Sequence, residues 1–512
     1  MKTLIIIGFI GIGFVSMVYA DVVLPNIFGE NMVLQRERSI PVWGWASPQE
    51  KVTVTFRGEK ASVITSDNGK WNLKIPTGKA GGPFEFIVKG KNEIKLPNVM
   101  VGEVWLCSGQ SNMTYMLQND PLGVVSMKDA DKSCIRFFDV RKCAAPLPAS
   151  NVEGKWVKAS INDYASKIAL RNFSAVGYFF GLELYKSLKI PIGLIHSSMG
   201  GSKSEAWTPV EGFEAVPALK DIFVKVVDAR EKNRECLKKS MGHIQRWVKN
   251  TTKALKEDGP VTIDPLPPEL TNTPGNQTRD YCVLYNRMIA PLVPFAIRGV
   301  IWYQGESNWD LRYKYYYNMQ ALIKGWREVW SQGDIPFYYV QLAPFKYWGN
   351  HPEYLPQIWE AQRLSLNIPN TGMAVINDIG NPNNIHPPNK HDVGKRLALW
   401  ALAKNYDKDV VYSGPLYESM EIEGDKVRVT FKHAEGLKSR DGKTLNWFEI
   451  AGKDGKYQKA EARIDKATVI ICSELVKNPV FVRYAWSGIA MPNLVNGADL
   501  PASSFSSHKK MD

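Results

Sequence analysis

The sequence predicts an α/β protein in which helices cover both faces of a parallel β-sheet and β-rich segments flank it on either side. Three observations lead to this prediction. Between residues 101 and 404, short buried apolar runs alternate with stretches of helical periodicity. Segments of polar–apolar alternation precede and follow that region. The length of 512 residues also exceeds what one hydrophobic core normally supports, so more than one domain is expected.

The first twenty residues have the pattern of a secretory signal peptide. Lys2 provides the positive start, Leu4–Val18 is apolar, and Val18 and Ala20 place small side chains before the expected cleavage site. A membrane anchor is the alternative, but the apolar stretch is short of the ~20 residues that a spanning helix needs. We therefore expect cleavage after Ala20 and a secreted or periplasmic protein.

Residues 21–100 and 405–512 are predicted to be two β-rich flanking domains. In the first of them, Val52–Phe56 and Phe84–Val88 alternate apolar and polar side chains, and Val427–Phe431 does so in the second. This alternation is typical of strands with one buried face, and polar turn residues separate the runs.

Residues 101–404 are predicted to form the catalytic domain, with an insertion or lid at about 215–280 that is first charged and helical and then rich in proline. Ligands of parallel sheets bind at the carboxyl ends of the strands, where the polar loops of this region fall. The predicted strands are Val104–Cys107, Ile192–His196, Gly299–Tyr303, Pro336–Leu342 and Gly372–Ile376.

The composition excludes several classes of protein. Hydrophobic residues make up 44% and charged residues 22%, which is ordinary for a globular chain and wrong for a disordered one. The net charge of +13 comes from scattered residues without a basic run, so no nucleic-acid partner is expected, and no later segment could span a membrane. The sixteen tryptophans fit either large buried cores or aromatic platforms for sugars.

The six cysteines are sparse and irregularly spaced, which argues against a disulfide scaffold. They include no C-x-x-C pair that would suggest zinc binding or thiol exchange. A bridge in an exported protein stays open, with Cys134 and Cys143 as the closest pair in the sequence.

Ser111 is the candidate nucleophile. It follows a predicted strand on a turn that Gly109 opens, and a serine hydroxyl becomes nucleophilic beside a base that takes its proton. Met113 stands where the G-x-S-x-G elbow of α/β-hydrolases has its last glycine, so that fold is not supported. An ordinary turn is the alternative interpretation.

His386 is the candidate general base, because it lies in a loop after a strand, where side chains face the cleft. A structural histidine is the alternative. His391 is five residues away, which is not the H-E-x-x-H spacing of zinc sites, and Gly201–Ser204 lacks the first glycine of a phosphate-binding loop. We therefore expect neither a metal nor a cofactor.

Two loops at the same edge of the sheet are candidates for an oxyanion hole. Met199 precedes the bare backbone of Gly200 and Gly201, and Asn308 could supply an amide. The other polar residues that we expect to bind substrate at this edge are Gln110, Gln304 and Glu306.

These segments resemble the SGNH hydrolase superfamily, and most closely its sialate O-acetylesterase group, which is related to carbohydrate esterase family six. The likeness covers nearly the whole chain after the leader, including both β-rich flanks. The stretches that carry it are Val101–Met113, Gly193–Ser198, Glu205–Thr208, Leu284–Asn286, Gly299–Asn308 and Ile385–Ala398.

The resemblance implies an SGNH-type catalytic domain with Ser111 as nucleophile and His386 as base. The backbone of Ser111, Gly200 and Asn308 would hold the oxyanion. The superfamily places an aspartate three residues before the histidine, but this chain has Asn383 there. The third member would then be Asp378, or a backbone carbonyl would orient the histidine of a dyad.

The function that the resemblance implies is a serine esterase that removes O-acetyl groups from sugars, in the first place from O-acetylated sialic acid, through an acyl-enzyme. An acetylesterase for xylan or another glycan is the alternative within the same class. A sugar-binding protein with an inert esterase site is the alternative of a different class.

Overall fold

The computed structural model describes residues 21–132, 134–260, 279–347 and 351–508. The predicted leader, residues 1–20, lies outside the described residues, and so does nearly all of the proline-rich second half of the predicted insertion. The six cysteines are all described, and Cys134 and Cys143 are not bridged to each other.

Six strands precede the catalytic region, and alternating burial marks most of them as half-buried. Strands β2 and β5 pair with each other, whereas β3, β4 and β6 form a second antiparallel group. The strands are β1 (Val33–Gln35), β2 (Ser39–Trp45), β3 (Lys51–Phe56), β4 (Glu59–Ile64), β5 (Lys70–Pro76) and β6 (Gly81–Lys89).

Strand β7 (Glu93–Gly109) belongs to two sheets at once. Its first residues alternate and pair with β6, whereas from Val99 onward every residue is buried. Period-two alternation is typical of a strand with one wet face, and continuous burial is typical of a strand covered on both faces. The expected domain boundary between residues 100 and 101 therefore falls inside one continuous strand.

The central sheet has the order β13-β12-β11-β7-β10-β8-β9, and all neighbours are parallel except β8 and β9. The expected α/β class with a parallel, helix-covered sheet is confirmed. The remaining strands of this sheet are β8 (Ile135–Asp139), β9 (Trp156–Lys158), β10 (Ile192–Ser198), β11 (Gly299–Tyr303), β12 (Phe337–Val340) and β13 (Thr371–Ala374).

Helices cover the sheet, and two of them begin at side-chain caps. Asp163 and Ser174 accept hydrogen bonds from the backbone N–H groups of Ser166 and Gly177. The helices are α1 (Ser111–Thr114), α2 (Gly123–Met127), α3 (Tyr164–Asn172), α4 (Ala175–Leu188), α5 (Val210–Glu214), α6 (Lys220–Lys256), α7 (Tyr315–Trp330), α8 (Tyr354–Leu364) and α9 (His391–Asn405). Helix α6 lies in the predicted insertion. No described helix is long and apolar enough to cross a membrane.

The C-terminal region is β-rich and has a hydrophobic core of its own, centred on Val427, Ile450 and Tyr484. Its larger sheets have the orders β14-β15-β20-β19 and β18-β17-β21-β23. The strands are β14 (Leu416–Glu423), β15 (Lys426–Lys432), β16 (Lys438–Ser439), β17 (Phe448–Ala451), β18 (Gln458–Lys459), β19 (Glu461–Asp465), β20 (Thr468–Cys472), β21 (Phe481–Tyr484), β22 (Leu494–Val495) and β23 (Phe505–Ser506).

The turn after β7 requires glycine. Gly109 has φ +141°, and a Cβ placed on it would lie 2.1 Å from the carbonyl oxygen of Tyr303 in the neighbouring strand. We predict that Gly109→Ala lowers the free energy of unfolding by about 1–3 kcal/mol, because strand β7 must move away from β11. Thermal denaturation checks this. Gly452→Ala is the control, since a Cβ there meets nothing closer than 3.5 Å, and equal melting temperatures for the two variants would contradict the prediction.

Candidate active site

Ser111 lies at the carboxyl edge of the central sheet, as the first residue of helix α1. The preceding residue, Gln110, donates its backbone N–H to the carbonyl of Tyr303 at 2.9 Å. The turn is therefore fixed to the end of β11, and it presents a half-buried Ser111 hydroxyl.

His386 faces this hydroxyl. Its Nε2 lies 2.8 Å from Oγ of Ser111, although 275 residues separate the two in the chain. His386 is half-buried in the loop between β13 and α9. A serine and a histidine at this distance can exchange a proton, which is the arrangement that activates a serine nucleophile.

Two unpaired backbone donors adjoin the serine. Among the described residues, the N–H groups of Ser111 and Gly200 donate to no acceptor. A Cβ placed on Gly200 would lie 3.6 Å from Cβ of Ser111, so the glycine loop passes directly beside the nucleophile. Gly201, with φ +70°, turns the chain away, and its carbonyl accepts from Nε of Arg279 at 3.1 Å.

The side chain of Asn308 is completely buried and joins two loops at this edge. Its Oδ1 accepts from the backbone N–H of Ser204 at 2.9 Å and from Nε2 of Gln304 at 2.7 Å. Its Nδ2 donates to Glu205 at 2.8 Å, which leaves one amide proton for another acceptor. Sequence reasoning did not single out Glu205, because its role depends on a partner 103 residues away.

Gln110 and Gln304 are buried and hold neighbouring loops in place. Oε1 of Gln110 accepts from the backbone N–H groups of Ser307 and Gly305, at 3.2 and 3.4 Å. Oε1 of Gln304 accepts from the hydroxyl of Tyr315 at 2.8 Å. Both side chains are buried, and their direct contact with a substrate stays a prediction.

Glu306 is also buried, and it belongs to a network around Asn112. Nδ2 of Asn112 donates to Oε1 of Glu306 and, at 3.0 Å, to the carbonyl of Ile385. Nζ of Lys390 donates to Oδ1 of Asn112 at 2.6 Å. The residue after the nucleophile thus fixes the backbone just before His386.

Burial and the charges of this network together shift three pKa values. Burial lowers the pKa of Lys390 to about 7, against the opposing influence of Glu306 and Asp120. Burial raises the pKa of Glu306, whose Oε2 has no hydrogen-bond partner. Burial, and then the charge of Lys390, lower the pKa of His386. A lower pKa favours the neutral imidazole, which is the form that accepts a proton.

A second set of hydrogen-bonded serine, histidine and aspartate side chains supports helix α1. Nε2 of His196 lies 2.6 Å from Oγ of Ser198, and its Nδ1 lies 2.8 Å from Asp139. Oγ of Ser198 also contacts Oγ1 of Thr114 at 2.7 Å. Ser198 is 1% exposed, so no substrate reaches it, and its contact with Thr114 holds the helix that carries Ser111.

Asp378 is not the partner of His386. Both of its carboxylate oxygens are bound by Arg396, at 2.6 and 2.7 Å, and Arg440 approaches at 3.2 Å. The expectation that Asp378 orients the histidine is therefore wrong: its side chain is buried in an ion pair between helix α9 and the C-terminal region.

The histidine is held through its backbone instead. Its N–H donates to Oδ1 of Asn384 at 2.9 Å, and Asn383, at the position of the superfamily's aspartate, is exposed. Nδ1 of His386 contacts no acceptor in the part of the chain that the structure describes, so the alternative of an orienting carbonyl is not observed either.

A parallel sheet that brings a serine, a histidine and free backbone donors together at its carboxyl edge has the arrangement of a serine hydrolase. The comparisons narrow this class. The family model described as carbohydrate esterase, sialic acid-specific acetylesterase matches residues 272–403.

Relatives match over most of the chain. The sialate O-acetylesterase of Rattus norvegicus is 29% identical over 93% of this chain and 90% of its own length. The human sialate O-acetylesterase is 29% identical over 83% of this chain and 79% of its own. The crystal structure of a carbohydrate acetylesterase from Xanthomonas citri is 35% identical, covers 96% of this chain and 100% of its own, and superimposes with a TM-score of 0.79. The chain belongs to the carbohydrate acetylesterase family that includes the sialate O-acetylesterases, and it is a sugar acetylesterase.

Because Asp378 pairs with arginines, Asp378→Asn should destabilise the protein without altering the chemistry. Loss of one charge from this buried pair should cost about 3–5 kcal/mol. Turnover of the folded enzyme should stay within about tenfold of wild type. Thermal denaturation and steady-state kinetics check both parts. A loss of a hundredfold or more at unchanged melting temperature would show that Asp378 acts on His386 after all.

The Lys390 charge should set the pH profile. His386 must be neutral to accept the serine proton, so activity rises with pH as the imidazole loses its proton. Lys390→Met removes the charge that disfavours the imidazolium, so the pKa of His386 rises and the midpoint of the kcat/KM profile moves to higher pH.

Two variants control this experiment. Lys390→Arg keeps the charge and should leave the midpoint near the wild-type value. Lys395→Met removes an exposed lysine from helix α9, which follows Lys390, and should also leave the midpoint unchanged. A midpoint in Lys390→Met that is unmoved or lower would contradict the electrostatic role.

Proposed function

We propose that the enzyme hydrolyses O-acetyl esters through an acyl-enzyme on Ser111. His386 takes the proton of Ser111 as Oγ attacks the acetyl carbonyl carbon, and the N–H groups of Ser111 and Gly200 stabilise the oxyanion. His386 then protonates the departing sugar oxygen as the ester bond breaks. In the second half, His386 deprotonates a water that attacks the acetyl-serine, and returns the proton to Oγ as acetate leaves.

The 2.8 Å contact between Nε2 of His386 and Oγ of Ser111 carries this proposal. The two unpaired backbone donors beside the serine support it, since preorganised N–H groups are the usual stabilisers of such an oxyanion. The remaining amide proton of Asn308 could supply a third donor.

The preferred substrate that we propose is O-acetylated sialic acid. The family model that matches residues 272–403 is described as sialic acid-specific, and the rat and human relatives are named sialate O-acetylesterases. The net charge of +13 suits a substrate that carries a carboxylate.

A second candidate is an acetyl ester on another glycan. The relative from Xanthomonas citri has the higher identity, 35% against 29%, and is described only as a carbohydrate acetylesterase. Acetate release from O-acetylated sialic acid and from acetylated xylan, compared as kcat/KM, separates the candidates. A kcat/KM for xylan that equals or exceeds that for the sialoside would favour the second.

Ser111→Ala should reduce turnover of p-nitrophenyl acetate at least ~10⁴-fold, because the nucleophile and its acyl intermediate are lost. The melting temperature should hardly change. Ser307→Ala, which removes a half-buried hydroxyl from the adjoining turn, is the matched control and should keep its activity. Residual turnover in Ser111→Ala above about one hundredth of wild type would exclude a nucleophilic role.

We also propose that the mature enzyme begins at Asp21 and acts outside the cytoplasm. The signal-like pattern of the first twenty residues supports this. The intact mass of the protein isolated from its natural host decides it, since retention of residues 1–20 would indicate an anchor.

A further inference from the structure

The outer face of the antiparallel pair formed by strands β2 and β5 is unusually aromatic for an exposed sheet surface. Pro41, Trp43 and Trp45 point to this face of β2 and are only half-buried. Their cross-strand partners on β5 are Lys74, Asn72 and Lys70, all of them exposed. Trp43 packs edge-to-face on the buried Phe28, with ring centroids 4.8 Å apart. Outward positions of a strand are normally polar, so the remaining exposed area of two tryptophans beside lysine and asparagine calls for a further explanation.

This face forms one wall of a groove of about 580 Å³. The opposite wall is apolar and includes Pro291 and Pro294, with Trp330 at the end of helix α7. The volume lies within the range of small-molecule sites. A hydrogen bond of 3.1 Å from Arg38 to Gln332 joins the two walls at one point.

The groove is at the opposite end of the sheet from the Ser111–His386 pair. Pro294 and Ala296, which line it, precede strand β11, whereas Asn308 follows that strand. The five residues of β11 alone span about 17 Å. A ligand in this groove would therefore not touch the catalytic serine.

The charge of the groove is positive. Arg38, Lys70 and Lys74 contribute to its lining, and no described aspartate or glutamate does. Glu103, which lies near Arg38, is already paired with Arg36 and Arg298. Cations beside indole rings match a sugar that carries a carboxylate, because the C–H face of a sugar ring packs on an aromatic face while the carboxylate pairs with lysine.

We propose that this groove is a non-catalytic binding site for carboxylate-bearing sugars of a glycan chain. Trp43 and Trp45 form the stacking platform, and Lys70 and Lys74 bind the carboxylates. Such a site would hold a polymeric substrate on the enzyme while a distant acetylated residue enters the active site. The proposal goes beyond the esterase function and does not depend on the assigned role of Ser111.

Binding is tested by isothermal titration of the Ser111→Ala enzyme, in which turnover cannot obscure the signal. The ligands are polysialic acid, polygalacturonic acid and unsubstituted xylan. We expect at least one acidic chain to bind, and the neutral xylan to bind at least tenfold more weakly. The two acidic polymers distinguish sialic from uronic acids as the source of the carboxylate.

Two groove variants locate the site. In the Ser111→Ala background, Lys70→Ala/Lys74→Ala and Trp45→Ala should each weaken binding of the acidic chain about tenfold or more. Lys51→Ala/Lys60→Ala removes the same charge from exposed positions of β3 and β4 and should leave affinity unchanged. Because both groove lysines are exposed, their double variant tests the site even if Trp45→Ala fails to fold.

Activity provides an independent readout. With Ser111 intact, the groove variants should hydrolyse p-nitrophenyl acetate at the wild-type rate and lose efficiency only on polymeric acidic substrates. The proposal is overturned if no acidic chain binds, if xylan binds equally well, or if the Lys51/Lys60 control weakens binding as much as the groove variants.

Discussion

The buried amide of Asn112 is the contact on which the geometry of the active site depends. It accepts from Lys390 and donates both to Glu306 and to the carbonyl of Ile385, so it joins the turn after β7, the loop after β11 and the loop before α9. The loss of one partner would leave a buried polar group unsatisfied, which costs about 1–3 kcal/mol and removes the restraint on the histidine loop. The contact between Ser111 and His386 therefore depends on the side chain of Asn112, which fixes the loops that carry both residues.

This network also changes the electrostatics of the pair. In a triad with an acidic member, the carboxylate stabilises the imidazolium that forms when the serine gives up its proton. Here the cation of Lys390 disfavours the imidazolium of His386. Two carboxylates, Glu306 and Asp120, act on Lys390 in turn, and burial disfavours the charged form of Glu306. His386 therefore stays neutral, and able to accept a proton, down to a lower pH. The imidazolium that forms during the reaction is less stabilised as a result.

The parts of the molecule that local sequence patterns determine were predictable. Continuous apolar runs predicted the parallel strands, and the confirmed fold class follows from these strands. The positions of Ser111 and His386 after two of the strands suggested that the two residues would lie close together. The contacts that decide the roles of the other polar residues were not predictable, because Asn112 and Lys390 are 278 residues apart and Gln110 and Ser307 are 197 apart. Asp378 shows the same limit. Its position at a strand end made it a candidate, but Arg396 and Arg440 bind it across elements whose packing no local pattern specifies.

The two β-rich flanks relate to the catalytic sheet in different ways. One hydrophobic core contains Val42 and Trp71 of the N-terminal strands together with Trp105 and Trp302 of the central sheet, whereas the C-terminal strands have a core of their own. Strand β7 continues from one sheet into the other without interruption. The N-terminal strands therefore cannot be detached without exposing the core of the catalytic region, and any ligand bound on β2 and β5 is held at a fixed distance from Ser111. A flexibly linked binding module would let a polymer explore many positions, but a site built on the shared core would favour acetyl groups at one spacing along the chain.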